Sequence, residues 1–379
     1  MVQSFSITMR YITVNFVSVI VLLNKYLLSV IFSLVFICLL SPAYAQVELL
    51  RTSIDKILRY EAPVDFNIVP GIAIGVIDID SIYRLTFGRD IQLDGIYEMG
   101  SITKPVIAWL VNQALDSLRL SDTASVCTFL PDSLCTPSFR KIRIMDIMQH
   151  RTGLARLAPM MGEIESSVLD PYRDYSLNIL AHDLLQMEPI KGKYNYSHLN
   201  YAMTYWLFEL VGGLPAYSKE KLKIPFSLGN TKWETNREEI AQGFGLDGRP
   251  QPPWNTNALS PAMGLKSSLD DQLKLMQAFI DEYKEDPNIH YSKALKKEIK
   301  ALEKTGAYKV FEGWFLIRLR KSIVLYHNGR TGGHHASIAF IPEMKKGVIV
   351  ISNGAVGSND LSLLILRMIQ QSKPAKVKN

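Results

Sequence analysis

The chain has 379 residues, of which 47% are hydrophobic and 21% are charged, and its formal net charge is +6. This length and composition suit one large globular domain or two closely packed ones. The basic residues are scattered, apart from a solvated tail with Lys373, Lys376 and Lys378, so the composition argues against a nucleic-acid partner.

Residues 1–45 have the pattern of an export leader rather than of a folded domain. Lys25 precedes an apolar run over 27–40, and Ala43-Tyr44-Ala45 fits a small-residue cleavage site. A second apolar run lies upstream, so residues 11–40 together are long enough to span a bilayer. One alternative is a start codon placed too early, and the other is an uncleaved membrane anchor. We favour export to the periplasm or medium, with cleavage at the end of the leader.

The first elements predicted after the leader are a helix, a hairpin and a second helix. One apolar face predicts a helix over 47–60. Val69-Pro70-Gly71 opens an apolar strand, Ile72–Ile77, and a short turn returns the chain as the strand Ile82–Phe87. After Lys104, apolar residues at i, i+3 and i+4 spacing predict an amphipathic helix.

From about residue 121 to 255 the chain is loop-rich and helical, and prolines punctuate it. The segment Tyr201–Leu210 is a strongly apolar predicted helix, and further helices are predicted over Leu265–Tyr283 and Lys293–Leu302. Four short β-rich segments and a closing helix follow: Trp314–Leu319, Ile323–Tyr326, Ser337–Ile341, Val348–Ser352 and Leu361–Ile369.

Strands therefore occur near both ends of the chain, with helices between them. The economical fold is α/β (α+β): one antiparallel sheet flanked by helices and built from residues 46–120 and 256–379. Residues 121–255 would form an inserted, mostly helical subdomain.

Two cysteines, Cys127 and Cys135, remain outside the leader and lie close together in the sequence. In an exported protein this spacing predicts a disulfide that closes a short loop. Such a crosslink contributes about 2.5 kcal/mol in the chain-entropy model. The alternative is a pair of reduced, buried thiols.

The segment Gly100-Ser101-Ile102-Thr103-Lys104 stands between an extended stretch and the amphipathic helix. One helical turn separates Ser101 from Lys104, so the hydroxyl and the amine share one side of the helix. A serine beside a desolvated lysine can act as a nucleophile, whereas the ordinary alternative is a helix N-cap. Three other Ser-x-x-Lys matches lie in charged or polar stretches that we interpret as surface: Ser53, Ser138 and Ser218.

A second cluster, Lys193 to His198, precedes the apolar helix at Tyr201. Tyr196 could turn its phenolic oxygen toward Lys104 and act first as general base and then as general acid. The alternative is a tyrosine that packs its ring at a helix start.

A third cluster, His327-Asn328-Gly329, ends a predicted strand. The glycine would let substrate backbone lie close, and the histidine could bond to a substrate carboxylate or carbonyl or move a proton. The alternative is a solvated strand-end histidine. Adjacent His334 and His335 would point opposite ways on a strand, and no ligand set has metal-binding spacing, so no metal site is predicted.

In this order the clusters resemble the serine β-lactamase-like hydrolases, which include class C β-lactamases, D-Ala–D-Ala carboxypeptidases and related esterases. The resemblance runs from about Val69 to Asn353 and implies the β-lactamase/transpeptidase-like fold. The matching segments are Val69-Pro70-Gly71, Gly100 to Lys104, Ile147 to Leu154, Tyr196-Ser197-His198, Ser260 to Leu265, His327-Asn328-Gly329 and Ile351-Ser352-Asn353.

The resemblance implies roles for several of these residues. Ser101 would attack a carbonyl and become acylated, while Lys104 and Tyr196 manage its proton. The backbone N–H groups of Ser101 and Arg330 would form the oxyanion hole, where one donor is typically worth about 10²–10³ in rate. Water would then release the acyl group, and no cofactor is needed.

Two positions depart from class C β-lactamases. His198 stands where the family has an asparagine that bonds to the motif lysine and to the substrate's amide. His327, followed by Gly329, stands where class C enzymes have lysine, which makes the chain more similar to the carboxypeptidases and esterases. His150 is interpreted as a structural loop residue.

The sequence therefore predicts an exported serine hydrolase that acts through an acyl-enzyme on a D-amino-acid peptide or an ester. Its partner would be a small-molecule or peptide substrate, such as a cell-wall peptide, a β-lactam or an ester. The first alternative is a β-lactamase. The second is a non-catalytic binding or scaffold protein that retains the fold, attached to the membrane through its N-terminus.

Overall fold

The computed structural model describes residues 44–157, 159–162, 168–233, 236–285, 295–300, 309–355 and 360–371. The predicted leader lies outside these residues except for its last two. Of the predicted helix Lys293–Leu302, residues 295–300 are described and are helical. None of the described helices is long and apolar enough to cross a membrane. Residues 1–56 and 57–379 are separate units, and helix α1, residues 44–56, belongs to the first.

The second unit contains strands and helices at the following bounds. The strands are β1 Gly71–Asp78, β2 Ser81–Gly88, β3 Tyr97–Glu98, β4 Gly243–Phe244, β5 Pro250–Gln251, β6 Lys266–Ser267, β7 Lys309–Phe311, β8 Trp314–Leu319, β9 Ser322–Arg330, β10 His335–Ile341 and β11 Lys346–Ser352. The helices are α2 Thr103–Leu118, α3 Ile144–Met148, α4 Leu177–Leu185, α5 His198–Ala202, α6 Thr204–Glu209, α7 Leu214–Ser218, α8 Ser260–Met263, α9 Leu269–Glu285, α10 295–300 and α11 Leu361–Gln371.

The main sheet joins the two ends of this unit, as predicted. Its strand order is β2-β1-β11-β10-β9-β8-β7, and every neighbouring pair is antiparallel. Strand β1 pairs with β11 in a register that places Ile74 opposite Val350. All residues of β10 and β11 are buried, so both faces of the sheet centre are covered. Helices α9 and α11 provide part of this cover.

Three predicted elements had the wrong bounds. The apolar stretch Tyr201–Leu210 forms the end of α5 and then α6, with a break at Met203. The helix predicted from Leu265 begins at Leu269, because residues 266–267 pair with β3 as strand β6. The strand predicted to end at Tyr326 continues to Arg330, since its backbone goes on pairing with β10 after the apolar side chains stop.

The serines of the three other Ser-x-x-Lys matches form ordinary hydrogen bonds. Ser53 donates to the carbonyl of Leu49, one turn earlier in α1. Ser138 bonds to Glu188. Ser218 is fully buried and accepts a 2.6 Å hydrogen bond from the indole N–H of Trp233, so its interpretation as a surface residue was wrong.

Cys127 and Cys135 are free thiols in this structure. They are neighbours, and the Sγ of Cys135 lies 4.0 Å from the backbone oxygen of Cys127. Burial, together with the hydrogen bond to Cys127, raises the pKa of Cys135 to about 12. The thiols are therefore close and unreactive in this reduced state, and the crosslink stays a prediction for an oxidising compartment.

The turn between β7 and β8 packs against the start of helix α2. Its two residues, Glu312 and Gly313, both have positive φ, at 45° and 81°, as a two-residue hairpin turn requires. A Cβ on Gly313 would lie only 2.7 Å from the nitrogen of Pro105. The Glu312 side chain is buried and accepts a 2.8 Å hydrogen bond from Asn112 of α2. Burial raises the pKa of Glu312 to about 8.

We expect Glu312→Gln to stabilise the protein at alkaline pH. The folded carboxyl keeps its proton up to about pH 8, whereas the unfolded one loses it near 4.5. The free energy of unfolding of the wild type should therefore fall as pH rises through this window, by at most about 1.4 kcal/mol per pH unit. Urea unfolding at pH 5, 7 and 9 measures this slope. The variant should lack it, the exposed control Glu238→Gln should retain it, and identical slopes in all three proteins would contradict the expectation.

Candidate functional site

Ser101 lies in a short turn, Gly100–Ile102, that leads directly into helix α2. Gly100 has a φ of 51°, in the left-handed region where glycine is favoured. Thr103 fixes the turn because its hydroxyl donates to the carbonyl of Gly100 at 2.6 Å and accepts from the N–H of Leu265 at 3.0 Å. No side chain caps α2, so the hydroxyl of Ser101 is not used as an N-cap and is available for other bonds.

Strand β9 passes so close to this turn that side chains are excluded from the contact. A Cβ on Gly329 would lie 2.0 Å from the carbonyl oxygen of Met99 and 2.7 Å from the nitrogen of Ser101. A Cβ on Gly100 would lie 2.7 Å from the nitrogen of Arg330. The two amides predicted to form the oxyanion hole, those of Ser101 and Arg330, therefore lie beside the same backbone contact.

Lys104 is fully buried and places its amine among three partners. Its Nζ is 3.0 Å from Ser101 Oγ, 3.1 Å from His198 Nδ1 and 2.8 Å from the carbonyl oxygen of Ala262. Burial lowers the pKa of Lys104 well below its ordinary value, and the charge of Arg156 lowers it further. A neutral amine that donates to Ala262 and His198 has its lone pair left for the Ser101 proton. This arrangement can deprotonate the serine.

Tyr196 lies beside both groups: its ring centroid is 5.0 Å from Lys104 Nζ, and a hydrogen bond with Ser101 acts on its phenol. Its ring packs against His150, with ring centroids 4.4 Å apart, and against Phe315 at 6.1 Å. Burial raises the pKa of Tyr196 to about 12, although the bond to Ser101 and the charge of Arg156 oppose this shift. The phenol is therefore protonated near neutral pH and is better suited to donate a proton than to take the first one. Lys104, whose pKa is lowered, is therefore the better candidate for the base.

His327 is a buried and neutral ring beside Tyr196 and Phe315. Its Nδ1 lies 2.7 Å from the carbonyl oxygen of Asn328, which can only accept, so the proton is assigned to Nδ1. Its Nε2 is buried and has no partner among the described residues. Burial, followed by the charge of Lys104, lowers the pKa of His327 to about 3, and the ring stacks on Phe315 at 4.9 Å. His327 can therefore accept a hydrogen bond from a substrate, but it brings no positive charge for a carboxylate.

His150 supports the loop that carries Tyr196. Its Nδ1 accepts the N–H of Ser197 at 3.1 Å and lies 3.3 Å from Nδ2 of Asn200. Burial, the charge of Lys104 and His327 lower the pKa of His150 well below its ordinary value, so the ring is neutral. These contacts fit the structural role predicted for this residue.

His334 belongs to a buried ion pair rather than to a metal site. Its two ring nitrogens lie 3.1 Å from Glu98 Oε2 and 3.1 Å from the carbonyl oxygen of Ala241. Both neighbours are hydrogen-bond acceptors, so each ring nitrogen is placed to donate. Burial alone would raise the pKa of Glu98. The hydrogen bond and charge of His334 lower this pKa, as do hydrogen bonds from Thr331 and from the Trp254 N–H, and together they outweigh burial. Nowhere in the described ranges are three His, Cys, Asp or Glu side chains grouped to hold a metal ion.

The predicted site residues thus meet at one place, and the structure adds three that sequence reasoning missed. The carbonyl of Ala262 fixes Lys104, Phe315 covers Tyr196 and His327, and Arg156 lies over the Tyr196 ring. Ala262 lies in a segment that resembles the family, which was the available signal. No sequence pattern around Phe315 or Arg156 predicts that either residue lies beside Tyr196.

A serine at the start of a buried helix, a buried lysine one turn later and an antiparallel sheet at its side define a β-lactamase-like fold and site. A family model for Beta-lactamase matches residues 62–371. The chain belongs to the β-lactamase family.

Solved structures of this family have the same fold at low sequence identity. A class C beta lactamase from Rhodobacter sphaeroides is 18% identical with a TM-score of 0.67, over 85% of this chain and 99% of that one. A Beta-Lactamase/D-Alanine Carboxypeptidase from Pseudomonas syringae is 17% identical with a TM-score of 0.69, over 87% and 100%. A protein of the same description from Yersinia pestis, complexed with citrate, is 19% identical with a TM-score of 0.67, over 86% and 99%.

We expect Lys104→Arg to lower kcat/KM on an ester substrate by about 10²–10⁴-fold, the typical value of a general base. A guanidinium stays protonated and cannot take the serine proton. The matched control is Lys346→Arg, which changes another buried lysine, one that bonds to Asp78 and to the carbonyl of Ile369. The control should retain the wild-type rate. A Lys104→Arg enzyme as fast as the control would contradict the assignment of the base.

We expect that the residue at position 198 must accept a hydrogen bond from Lys104, and that it need not carry a titratable ring. His198→Asn keeps an acceptor and should stay within about threefold of wild type in kcat/KM. His198→Leu removes it and should lose about tenfold, as for one hydrogen bond to a charged or strongly polar group. His182→Leu on α4 is the control for loss of a histidine. Equal kcat/KM values for the Leu and Asn variants would show that the hydrogen bond between position 198 and Lys104 does not contribute to catalysis.

Proposed function

We propose that this protein is an exported serine hydrolase that forms an acyl-enzyme on Ser101, acting on a D-amino-acid peptide or an ester. One observation carries the proposal: the Nζ of Lys104 lies 3.0 Å from the Ser101 hydroxyl oxygen. This amine is buried, and its burial lowers its pKa. Family membership supports it, and the leader pattern of residues 1–45 supports export. Residues 46–379 would be the hydrolase domain.

In the acylation step the proton of Ser101 passes to Lys104 as Oγ bonds to the substrate carbonyl carbon. The oxygen that gains charge would be held by the N–H groups of Ser101 and Arg330. Tyr196, which is protonated and bonded to Ser101, gives a proton to the leaving nitrogen or oxygen as its bond to carbon breaks. The proton held by Lys104 then restores Tyr196. Water repeats the sequence in reverse and frees the acyl group.

The character of His327 supports a peptidase or esterase over a β-lactamase. A neutral ring, which only accepts at Nε2, stands where class C enzymes place a lysine. Such a ring suits a substrate that offers an N–H or O–H at this point. The β-lactamase alternative remains the second candidate, supported by the family and by similarity to class C enzymes.

The alternative of another class is a non-catalytic protein that keeps the fold. The buried amine of Lys104 argues against it, because burial of an ammonium without a carboxylate partner costs stability. A protein that only binds would have no reason to keep this arrangement beside a serine and a tyrosine.

The test is intact-mass spectrometry of the purified protein after separate incubation with a penicillin and a p-nitrophenyl ester. We expect a penicilloyl adduct that persists and is absent in Ser101→Ala, together with ester turnover that the same change abolishes. Thr103→Ser serves as a control in the same segment, since it keeps the hydroxyl that fixes the turn.

Each other outcome selects an alternative. Ester turnover without any adduct, with rapid loss of the penicillin, would favour the β-lactamase. Neither adduct nor Ser101-dependent turnover would favour the non-catalytic protein.

A further inference from the structure

The two ends of the cleft around Ser101 differ in charge. At one end, His327 and Phe315 stack on each other beside Tyr196, and His327 is neutral. At the other end Arg156 places its guanidinium 5.3 Å from the centre of the Tyr196 ring. Its charge acts on Lys104, Tyr196 and His198, but it is not among the groups that act on His327.

Arg156 is exposed, yet its backbone is fixed against the segment that carries Tyr196. Its carbonyl accepts the N–H of His198 at 3.1 Å, and the carbonyl of Ala155 accepts the hydroxyl of Ser197 at 2.6 Å. One residue earlier, the carbonyl of Leu154 accepts from the side chain of Asn195 at 2.9 Å. The backbone that carries the guanidinium is thus fixed through three consecutive residues, 154–156.

Aromatic side chains continue this end of the cleft. The charge of Arg156 also acts on Tyr172, whose ring meets that of Trp254 edge to face at 5.1 Å. A Cβ on Gly332 would lie 2.7 Å from the indole nitrogen of Trp254, so the Trp254 ring packs against the chain two residues after Arg330. Both Tyr172 and Trp254 are half-buried and offer flat surfaces beside the cation.

Among the described residues, no acid balances the cation at this site. The charged and titratable groups that act on Lys104, Tyr196, His198 and His327 are other cations, histidines and a tyrosine, with no described Asp or Glu among them. Within the described part of the chain, no carboxylate forms an ion pair with Arg156. Two buried carboxylates accept N–H groups of the Trp254 segment, and both have other partners: Glu98 is held by His334 and Asp170 by Arg237. An anion bound here would give Arg156 the oppositely charged partner that the described residues do not supply.

We propose that Arg156 is a specificity-determining residue that binds a carboxylate of the substrate, at the end of the cleft bounded by Tyr172 and Trp254. This deepens the proposed function and rests on it. The cation that selects the substrate would then come from the loop before Tyr196, because the strand position at His327 is neutral. A planar guanidinium bonds a carboxylate through two parallel N–H groups, so lysine at this position should be a partial substitute.

The carboxylate could belong to the acyl part of the substrate or to its leaving group, and two matched pairs of esters distinguish these sources. The first pair is the p-nitrophenyl hexanoate and the mono-p-nitrophenyl adipate. The second pair is the p-nitrophenyl hexanoate and the 3-carboxy-4-nitrophenyl hexanoate. The kcat/KM of each is measured, after subtraction of the buffer rate, for wild type, Arg156→Gln, Arg156→Lys and Arg151→Gln. Arg151 is an exposed arginine of the same loop that lines a separate depression with Lys309.

We expect the wild type to prefer one of the carboxylate esters over its neutral match by about tenfold, as for one charge-assisted contact. The preference should disappear in Arg156→Gln, return in part in Arg156→Lys and remain in Arg151→Gln. The pair that shows the preference locates the carboxylate.

Four results would overturn the inference. A wild type that turns over all esters equally, or a preference that survives Arg156→Gln, refutes the role of Arg156 while leaving the hydrolase intact. A preference that Arg151→Gln abolishes equally would reduce the effect to net charge. Absence of any turnover that depends on Ser101 would refute the proposed function itself, and this inference with it.

Discussion

The burial of Lys104 beside Ser101 is the constraint on which the rest of the site depends. Moving an ammonium out of water is costly, and a buried lysine responds by losing its proton more easily. A carboxylate beside the amine would restore its charge and its high pKa. The site instead surrounds Nζ with a backbone carbonyl, a neutral imidazole and a hydroxyl. The lack of an acid beside Lys104 among the described residues and the neutrality of the nearby histidines are thus two aspects of one requirement.

This requirement explains why so much of the fold meets at one residue. Lys104 comes from α2, Ala262 from α8, His198 from α5 and the covering turn at Gly313 from between β7 and β8. Each of these pieces removes water from the amine or gives it a partner. The helical segment and the sheet have to close on each other for the lysine to be buried, so the chemistry of Ser101 depends on tertiary packing rather than on its local sequence motif.

The sequence predicted the sheet and the main site residues because their signals are local or stand in a recognisable order. Apolar runs located β1, β8, β10 and β11 to within a few residues, and the Gly100 segment stood out from three other Ser-x-x-Lys matches by its neighbours. The end of β9 was missed because hydrogen bonds to β10 continue through polar residues. The burial of Ser218 was missed because its partner, Trp233, is distant in the sequence, and charged neighbours indicated a surface.

The charge of the site could not be read from the sequence at all. A histidine at position 327 is compatible with a cation or with a neutral ring, and only its burial and the carbonyl at its Nδ1 decide for the neutral form. In the same way Arg156 is one of many scattered arginines until folding places it over Tyr196. Net charge says little about such a site, because the proposed selectivity depends on where one cation stands relative to the oxyanion-hole amides. The backbone contact between Gly100 and β9 fixes the amides of Ser101 and Arg330, and the bonds from Ala155 and Arg156 to the Tyr196 segment fix the backbone that carries the cation. The fold therefore sets the distance between these two backbone segments.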